Sequence, residues 1–346
     1  MLVLGIETSC DETSVALVED NAIVENLVYS QIETHRVFGG VVPEIAAREH
    51  LKRLPILFLE LIQKTNVKLE DVDGIAVTKG PGLIGALLVG VSFAKGLALR
   101  YGKPLVGVNH IEGHIFANYL AYPELKPPFI VLMVSGGHTL ILKVETTEEF
   151  TIIGRSVDDA VGEAFDKIAR LLGLGYPGGP EIDKVAKLGN PQAFQFPRPK
   201  FHDDDYDFSF SGLKTAVLYE IQRLRKGRLS DTDKLPQEIV ADLAASAQEA
   251  MIDVLVHKVT KAARDHGIEK IVIAGGVAAN SRLRERLKET AGFEFFLPPL
   301  ELCSDNAAMI ARVGVELLKK GHSDDLKLEP EPNFFEMLKS GTSKIS

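Results

Sequence analysis

Cysteine is scarce in this sequence. Cys10 and Cys303 are the two present, far apart in a chain of 346 residues, and they give no disulfide framework. That scarcity suggests a reducing, cytoplasmic setting. An export signal is also missing: Met1-Leu2-Val3-Leu4-Gly5 runs straight into an acidic stretch, without a basic start and a long apolar region. The most apolar segment, Leu83 to Leu99, is broken by Gly85, Gly90, Lys95 and Gly96, so it reads as a buried helix and no membrane is expected. Positive charge is in deficit, with a formal net charge of −9. Phosphate neutralisation supplies most nucleic-acid affinity, which argues against a self-sufficient RNA binder. Two basic clusters remain as footholds: Arg223, Arg225, Lys226 and Arg228, and Arg282, Arg284, Arg286 and Lys288. Each also reads as an ordinary solvated helix face.

What is present is a pattern stated twice. Leu2 to Glu7, Val15 to Val18 and Ile23 to Tyr29 read as three strands joined by polar turns, and Phe129 to Val134, Leu140 to Val144 and Phe150 to Gly154 repeat the phrase. Helical periodicity follows each, through Ala47, Leu51, Leu54, Phe58 and Leu61, then through Val240, Leu243, Ala247, Met251 and Val254. Each half next has a short buried strand ending in a glycine turn, at Ile75 to Gly82 and at Ile271 to Val277. Two copies of β-β-β-α-β-α predict a duplicated mixed-sheet α/β fold with a cleft between its halves. The expected division is an N-terminal lobe of residues 1–108 plus 306–325, a C-terminal lobe of 109–305, and a loosely held polar tail of 326–346. Residues 194–210 fit neither helix nor strand, and surface excursions of that length are often functional.

The sharpest chemical signal is His110-Ile111-Glu112-Gly113-His114. Residues four apart on a helix lie about 40° apart, so both imidazoles share a face suited to a transition metal. In the zinc-protease pattern the glutamate directly follows the first histidine. Here Glu112 is two residues on, about 200° around the helix, and points away. A third ligand must come from elsewhere, and Asp305 is the leading candidate, although its place before the last helix also suits simple capping. Asp159, Glu163 and Asp166 share one face of a predicted helix over 157–172. With Asp183 and the Gly275-Gly276 turn, Asp166 suggests nucleotide binding. Asp11 and Glu12 suit a general base or a nucleophile-orienting role.

The segments Gly5-Ile6-Glu7-Thr8-Ser9-Cys10-Asp11-Glu12-Thr13, His110 to His114, Val134-Ser135-Gly136-Gly137-His138-Thr139 and Gly275-Gly276-Val277-Ala278-Ala279-Asn280 together resemble the TsaD family, formerly called glycoprotease-like or Gcp. The resemblance runs from about Leu2 to Lys320 and looks bacterial. It implies the duplicated two-lobe fold of actin, sugar kinases and heat-shock ATPases, with its RNase H-like lobes and interlobe cleft. It implies transfer of threonylcarbamoyl from threonylcarbamoyl-AMP to the exocyclic amine of the adenosine 3′ of the anticodon, in tRNAs reading codons that begin with A. It further implies one iron or zinc ion on His110, His114 and Asp305. Val134, Ser135, Gly136, Gly137, His138, Asp166, Gly179, Asp183 and Asn280 would contact the nucleotide-bearing substrate, with Asp11 and Glu12 near the reaction centre. A truncated paralogue (TsaB-like) and a small ATPase (TsaE-like) would be its partners. The rival readings are a small-molecule kinase of the same superfamily, which would not need the histidine pair, and a non-catalytic scaffold, in which the cleft motifs should have decayed.

Overall fold

The computed structural model describes residues 1–147, 149–228, 235–333 and 343–344. Strands β1 (Leu2–Glu7), β2 (Glu12–Glu19) and β3 (Ala22–Ser30) are followed by α1 (Ile32–Arg36), α2 (Pro43–Thr65), β4 (Gly74–Gly80), α3 (Ile84–Tyr101), β5 (Leu105–Asn109) and α4 (His110–Ala121). Then come β6 (Phe129–Val134), β7 (Thr139–Val144), β8 (Glu149–Arg155), α5 (Val161–Leu171), α6 (Gly178–Ala186), α7 (Ser211–Arg228), α8 (Gln237–Asp265), β9 (Lys270–Ala274), α9 (Ser281–Glu289), β10 (Glu294–Phe296) and α10 (Ala307–Lys319).

The chain forms two compact units, residues 1–126 with 298–346, and residues 127–297. The first holds a sheet in the order β3-β2-β1-β4-β5. In the second, β8-β7-β6-β9-β10 run in the corresponding order. Within each, the first three strands pair antiparallel and the later two join in parallel. This shared order is the duplication that the sequence announces. Central strands β1 and β6 are buried along nearly their whole length, which explains their unbroken apolar runs in place of alternation.

The division falls at 126/127 and 297/298, rather than at 108/109 and 305/306. The reason is α4, which packs on α10 and on β5 and so stays with the first unit. The expected loose tail is also corrected for residues 326–333. The Asp324 N–H donates to the Leu105 carbonyl at 2.7 Å, and the Asp324 carboxylate accepts from the Gly107 N–H at 2.7 Å. Leu328 enters the core beside Gly107, and the Glu331 N–H donates to the Lys79 carbonyl at 2.7 Å. The segment thereby covers the otherwise open edge of β5. Residues 334–342 and 345–346 of that tail, and the side chains of Lys226 and Arg228, lie outside the described residues.

Helix α3 is long and apolar enough to cross a membrane by length and composition. Its Leu87, Gly90, Val91, Ala94 and Ala98 nevertheless face the core. Its other side is exposed at Ile84, Leu88 and Leu99, so the expectation of a buried helix holds for one face only.

The 194–210 excursion is irregular, as expected, and it is firmly tied. Lys258 of α8 is fully buried, and its ammonium donates to the carbonyls of Asp203 (3.1 Å) and Asp205 (2.6 Å) and to the Asp205 carboxylate (3.2 Å). Lys258→Met keeps the apolar stem but leaves the two carbonyls unpaired, while the Asp205 carboxylate keeps Lys200 and the Asp207 N–H. A loss of about 3 kcal/mol is expected, read as a lower denaturant midpoint at unchanged m. An unchanged midpoint would show that the lysine does not hold the loop.

Candidate metal centre and acidic turn

The candidate metal ligands come from two helix starts in the first unit. Asn109 caps α4, its side chain accepting from the Ile111 N–H at 2.8 Å, so His110 and His114 occupy the first turn and the next. Their rings meet edge to face with centroids 4.8 Å apart. Asp305 precedes α10, but the cap of that helix is Asn306, whose Oδ1 accepts from the Met309 N–H at 3.1 Å. The Asp305 carboxylate is thus left for other work. Its Oδ1 lies 3.1 Å from His114 Nε2 and 3.4 Å from His110 Nε2. One donor atom from each of the three residues falls within 4.8 Å of the others.

A fourth residue backs this trio. Glu7, at the end of β1 and wholly buried, places Oε2 3.0 Å from His110 Nδ1. It also accepts from the Ser9 N–H and the Thr78 hydroxyl. Burial pushes the Glu7 carboxyl up, yet the His110 ring beside it holds it below its usual value. Burial likewise opposes charge on His110, but Asp305 and Glu7 outweigh it and raise that imidazole well above its ordinary pKa. Asp305 shows the mirror image: burial disfavours its charge, while His110 and then His114 pull it far below the carboxylate range. Two carboxylates and two imidazoles therefore call for positive charge among them. A divalent cation meets that call with better-matched ligands than a proton, and a carboxylate behind a ligating histidine is the usual means of fixing its tautomer. The residues present fit a divalent transition-metal ion.

Glu112 lies apart from this set. Burial raises its carboxyl to about 7, tempered by Lys79 and Lys320 rather than by the histidines. This is the orientation expected from its place on the helix, and it is unlike that of a protease base.

Asp11 sits on the turn from β1 into β2, and Glu12 opens β2. The turn is braced from behind: neutral, buried His50 donates through Nε2 to the Cys10 carbonyl (2.9 Å) and accepts at Nδ1 from the Thr13 hydroxyl (2.8 Å). The Gln31 N–H donates to the Asp11 carbonyl at 3.0 Å. Burial, then Asp11 and Asp305, raises the Glu12 carboxyl well above its ordinary value. Glu12 is thus suited to carrying a proton.

The other candidates belong to the second unit. The turn from Val134 to His138 closes with the Ser135 N–H donating to the His138 carbonyl at 2.8 Å. Gly162, at the start of α5, packs so closely that a Cβ there would lie 2.5 Å from the Ser135 carbonyl oxygen. Gly275, at φ 91°, makes a similar approach to Val134. Around Gly136, Gly137, Gly179 and Gly276 an added Cβ would meet nothing within 4 Å. These four backbones are therefore open for a ligand to approach closely. Asp166 accepts from the Gly178 N–H at 2.7 Å, and Asp183 from the Ser281 hydroxyl at 2.8 Å. Asn280 caps α9 and donates to Gln248 Oε1 at 2.8 Å. The helix expected over 157–172 starts only at Val161, so Asp159 lies in the loop before it and shares no helical face with Glu163 and Asp166; Lys167 pairs with both Asp159 (2.7 Å) and Glu163 (2.9 Å).

Glu7, Ser9, Thr78 and His50 were missed by sequence reasoning. The one available signal was a charged residue ending an apolar central strand.

A profile of the family described as tRNA N6-adenosine threonylcarbamoyltransferase (TsaD) matches residues 22–312. A protein of that name from Fervidobacterium nodosum is 74% identical over 339 residues, spanning 98% of this chain and 99% of its own. Another, from Thermosipho africanus, is 60% identical over 336 residues, spanning 96% and 99%. Among solved structures, HypF of T. kodakarensis superposes with a TM-score of 0.60 at 15% identity, over 92% of this chain and 48% of that one. That likeness is one of fold alone.

Proposed function

The chain belongs to the tRNA N6-adenosine threonylcarbamoyltransferase family, and from that premise we propose how its residues divide the work. It is a transferase that modifies tRNA adenosine. The donor is threonylcarbamoyl-AMP, and the acceptor is the exocyclic amine of the adenosine 3′ of the anticodon in tRNAs reading codons that begin with A. The observation that carries this reading is the convergence of His110, His114 and Asp305, with Glu7 fixing the His110 ring from behind.

The donor is a mixed carboxylic–phosphoric anhydride, already activated, so the protein's task is positioning and charge stabilisation. One iron or zinc ion held by the three ligands would supply Lewis-acid polarisation and offset developing negative charge. The open backbones at Gly136, Gly137 and Gly179, with Val134, Ser135, His138, Asp166, Asp183 and Asn280, hold the adenylate. Asp11 accepts the proton of the attacking amine, with Glu12 beside it. A carbon–nitrogen bond forms, the carbon–oxygen bond to phosphate breaks, and AMP leaves.

The protein works in the cytoplasm with a truncated paralogue and a small ATPase. The exposed apolar side chains Leu51 and Leu59 of α2, and Ile84, Leu88 and Leu99 of α3, support docking of the paralogue on this helix layer.

The test is incorporation of labelled threonine into tRNA, using purified partners and the enzyme that makes the adenylate. Wild type should incorporate label, and Asp11→Ala should fall by roughly a hundredfold. Full rate in Asp11→Ala would remove the base from this scheme, and no incorporation by wild type would overturn the scheme itself.

A further inference from the structure

Two features singled out in the sequence, the 194–210 excursion and the basic residues near Arg223, have no part in the proposed reaction. They meet in the second unit at one cavity of about 330 Å³, lined by Phe194, Gln195, Phe196, Ala216, Glu220 and Arg223. We propose that this cavity binds an unstacked nucleobase of the tRNA, a reading that rests on tRNA being the substrate.

The walls suit a base better than a phosphate. Phe194 and Phe196 stack on one another with centroids 6.1 Å apart and planes at 25°, and Phe194 is only half-buried, so its ring reaches the cavity. Across from them, α7 supplies Ala216, Glu220 and Arg223, which share one helical face. Glu220 grips the Arg223 guanidinium with both oxygens, at 2.6 Å from Nη2 and 3.0 Å from Nε. A guanidinium held this way is locally neutralised and presents a flat surface for stacking. Gln195 is exposed and offers an amide donor and acceptor to a base edge. Tyr219, 65% exposed, adds another ring on the same helix.

The aromatic wall is a built surface. The Phe194 N–H donates to the Ser246 hydroxyl at 3.2 Å, and Arg198 donates to the Phe196 carbonyl at 3.2 Å and to Asp253 at 2.8 Å. Charge supplies the remaining argument. A chain of net charge −9 gains little from phosphate neutralisation, so part of its hold on tRNA must come from contacts that do not count charge. Stacking on aromatic rings and guanidinium planes is such a contact, and it is how single-stranded RNA bases are generally held.

The experiment compares wild type, Phe194→Leu, Phe194→Tyr and Arg223→Gln in the full chain with its partners. It reads KM for tRNA, KM for threonylcarbamoyl-AMP and melting temperature, at several salt concentrations. Phe194→Leu keeps the apolar filling but loses the π-face. It should raise KM for tRNA about tenfold with KM for the adenylate unmoved and the salt dependence unaltered. Phe194→Tyr keeps the ring and should restore binding, and Arg223→Gln should weaken tRNA several-fold. An unmoved tRNA KM in Phe194→Leu would overturn the site, as would a rise confined to the adenylate. Failure of wild type to modify tRNA at all would instead overturn the reaction on which the inference rests.

Discussion

Asp305→Ala should purify without a metal ion and should transfer threonylcarbamoyl at a rate lower by roughly a thousandfold, or about 4 kcal/mol of lost transition-state stabilisation. The fold should survive the change. Asn306, not Asp305, caps α10, and the Asp305 side chain is partly open to solvent while its contacts are the two imidazoles. Metal content, transfer rate and melting temperature measured on one preparation therefore separate loss of the ion from loss of the fold. Glu7→Gln is the graded companion. It keeps the size and an acceptor but removes the charge behind His110, for which a ten- to hundredfold weaker metal affinity is expected. A metal-replete, fully active Asp305→Ala protein would show that the three side chains converge for some other reason.

How much of this was legible depends on distance along the chain. His110 and His114 are local, and helical periodicity alone puts them on one face. Asp305 is nearly two hundred residues away and sits where a capping aspartate would sit, so only the structure, by giving the cap to Asn306, frees its carboxylate. Glu7 was quoted within a motif but given no role, since a strand reading credits apolar residues and treats a terminal acid as the start of a turn. The duplication was readable because strand phrases repeat in order. The unit boundaries were not, because they depend on which sheet α4 and α10 pack against. The tail misled for a simpler reason. Among polar neighbours, Leu328 gives no periodic signal, and its place is made by the missing side chain of Gly107 across the β5 edge. On α5 the apolar stripe was right, but the helix starts after Asp159, so the three acids do not share a helical face, and Lys167 neutralises two of them.

The same dependence on close packing makes Gly5→Ala a substitution expected to damage the metal site without touching a ligand. A Cβ on Gly5 of β1 would lie 2.2 Å from the Ala307 carbonyl oxygen and 2.9 Å from both the backbone nitrogen and the Cβ of Ala311. These atoms are mostly helix backbone, which cannot swing aside, so the first turn of α10 must move off the sheet. Asp305 is two residues before that turn, whereas His110 and His114 ride on α4. The methyl group should therefore pull the carboxylate out of register with the imidazoles. Overpacking should cost about 3 kcal/mol of stability, and a ligand displaced by about 1 Å should lower transfer by roughly a hundredfold. Gly113→Ala is the informative contrast. It lies between the two histidines in sequence, yet its added methyl would meet the Ile310 Cδ1 at 2.9 Å and the Met309 Cγ and Cε at 3.2 and 3.5 Å, side-chain atoms able to rotate away. If the close approach of β1 and α10 sets the site, the change remote from the ligands should be the more harmful of the two in melting temperature, metal content and rate. The opposite order would place the control of geometry in α4 itself.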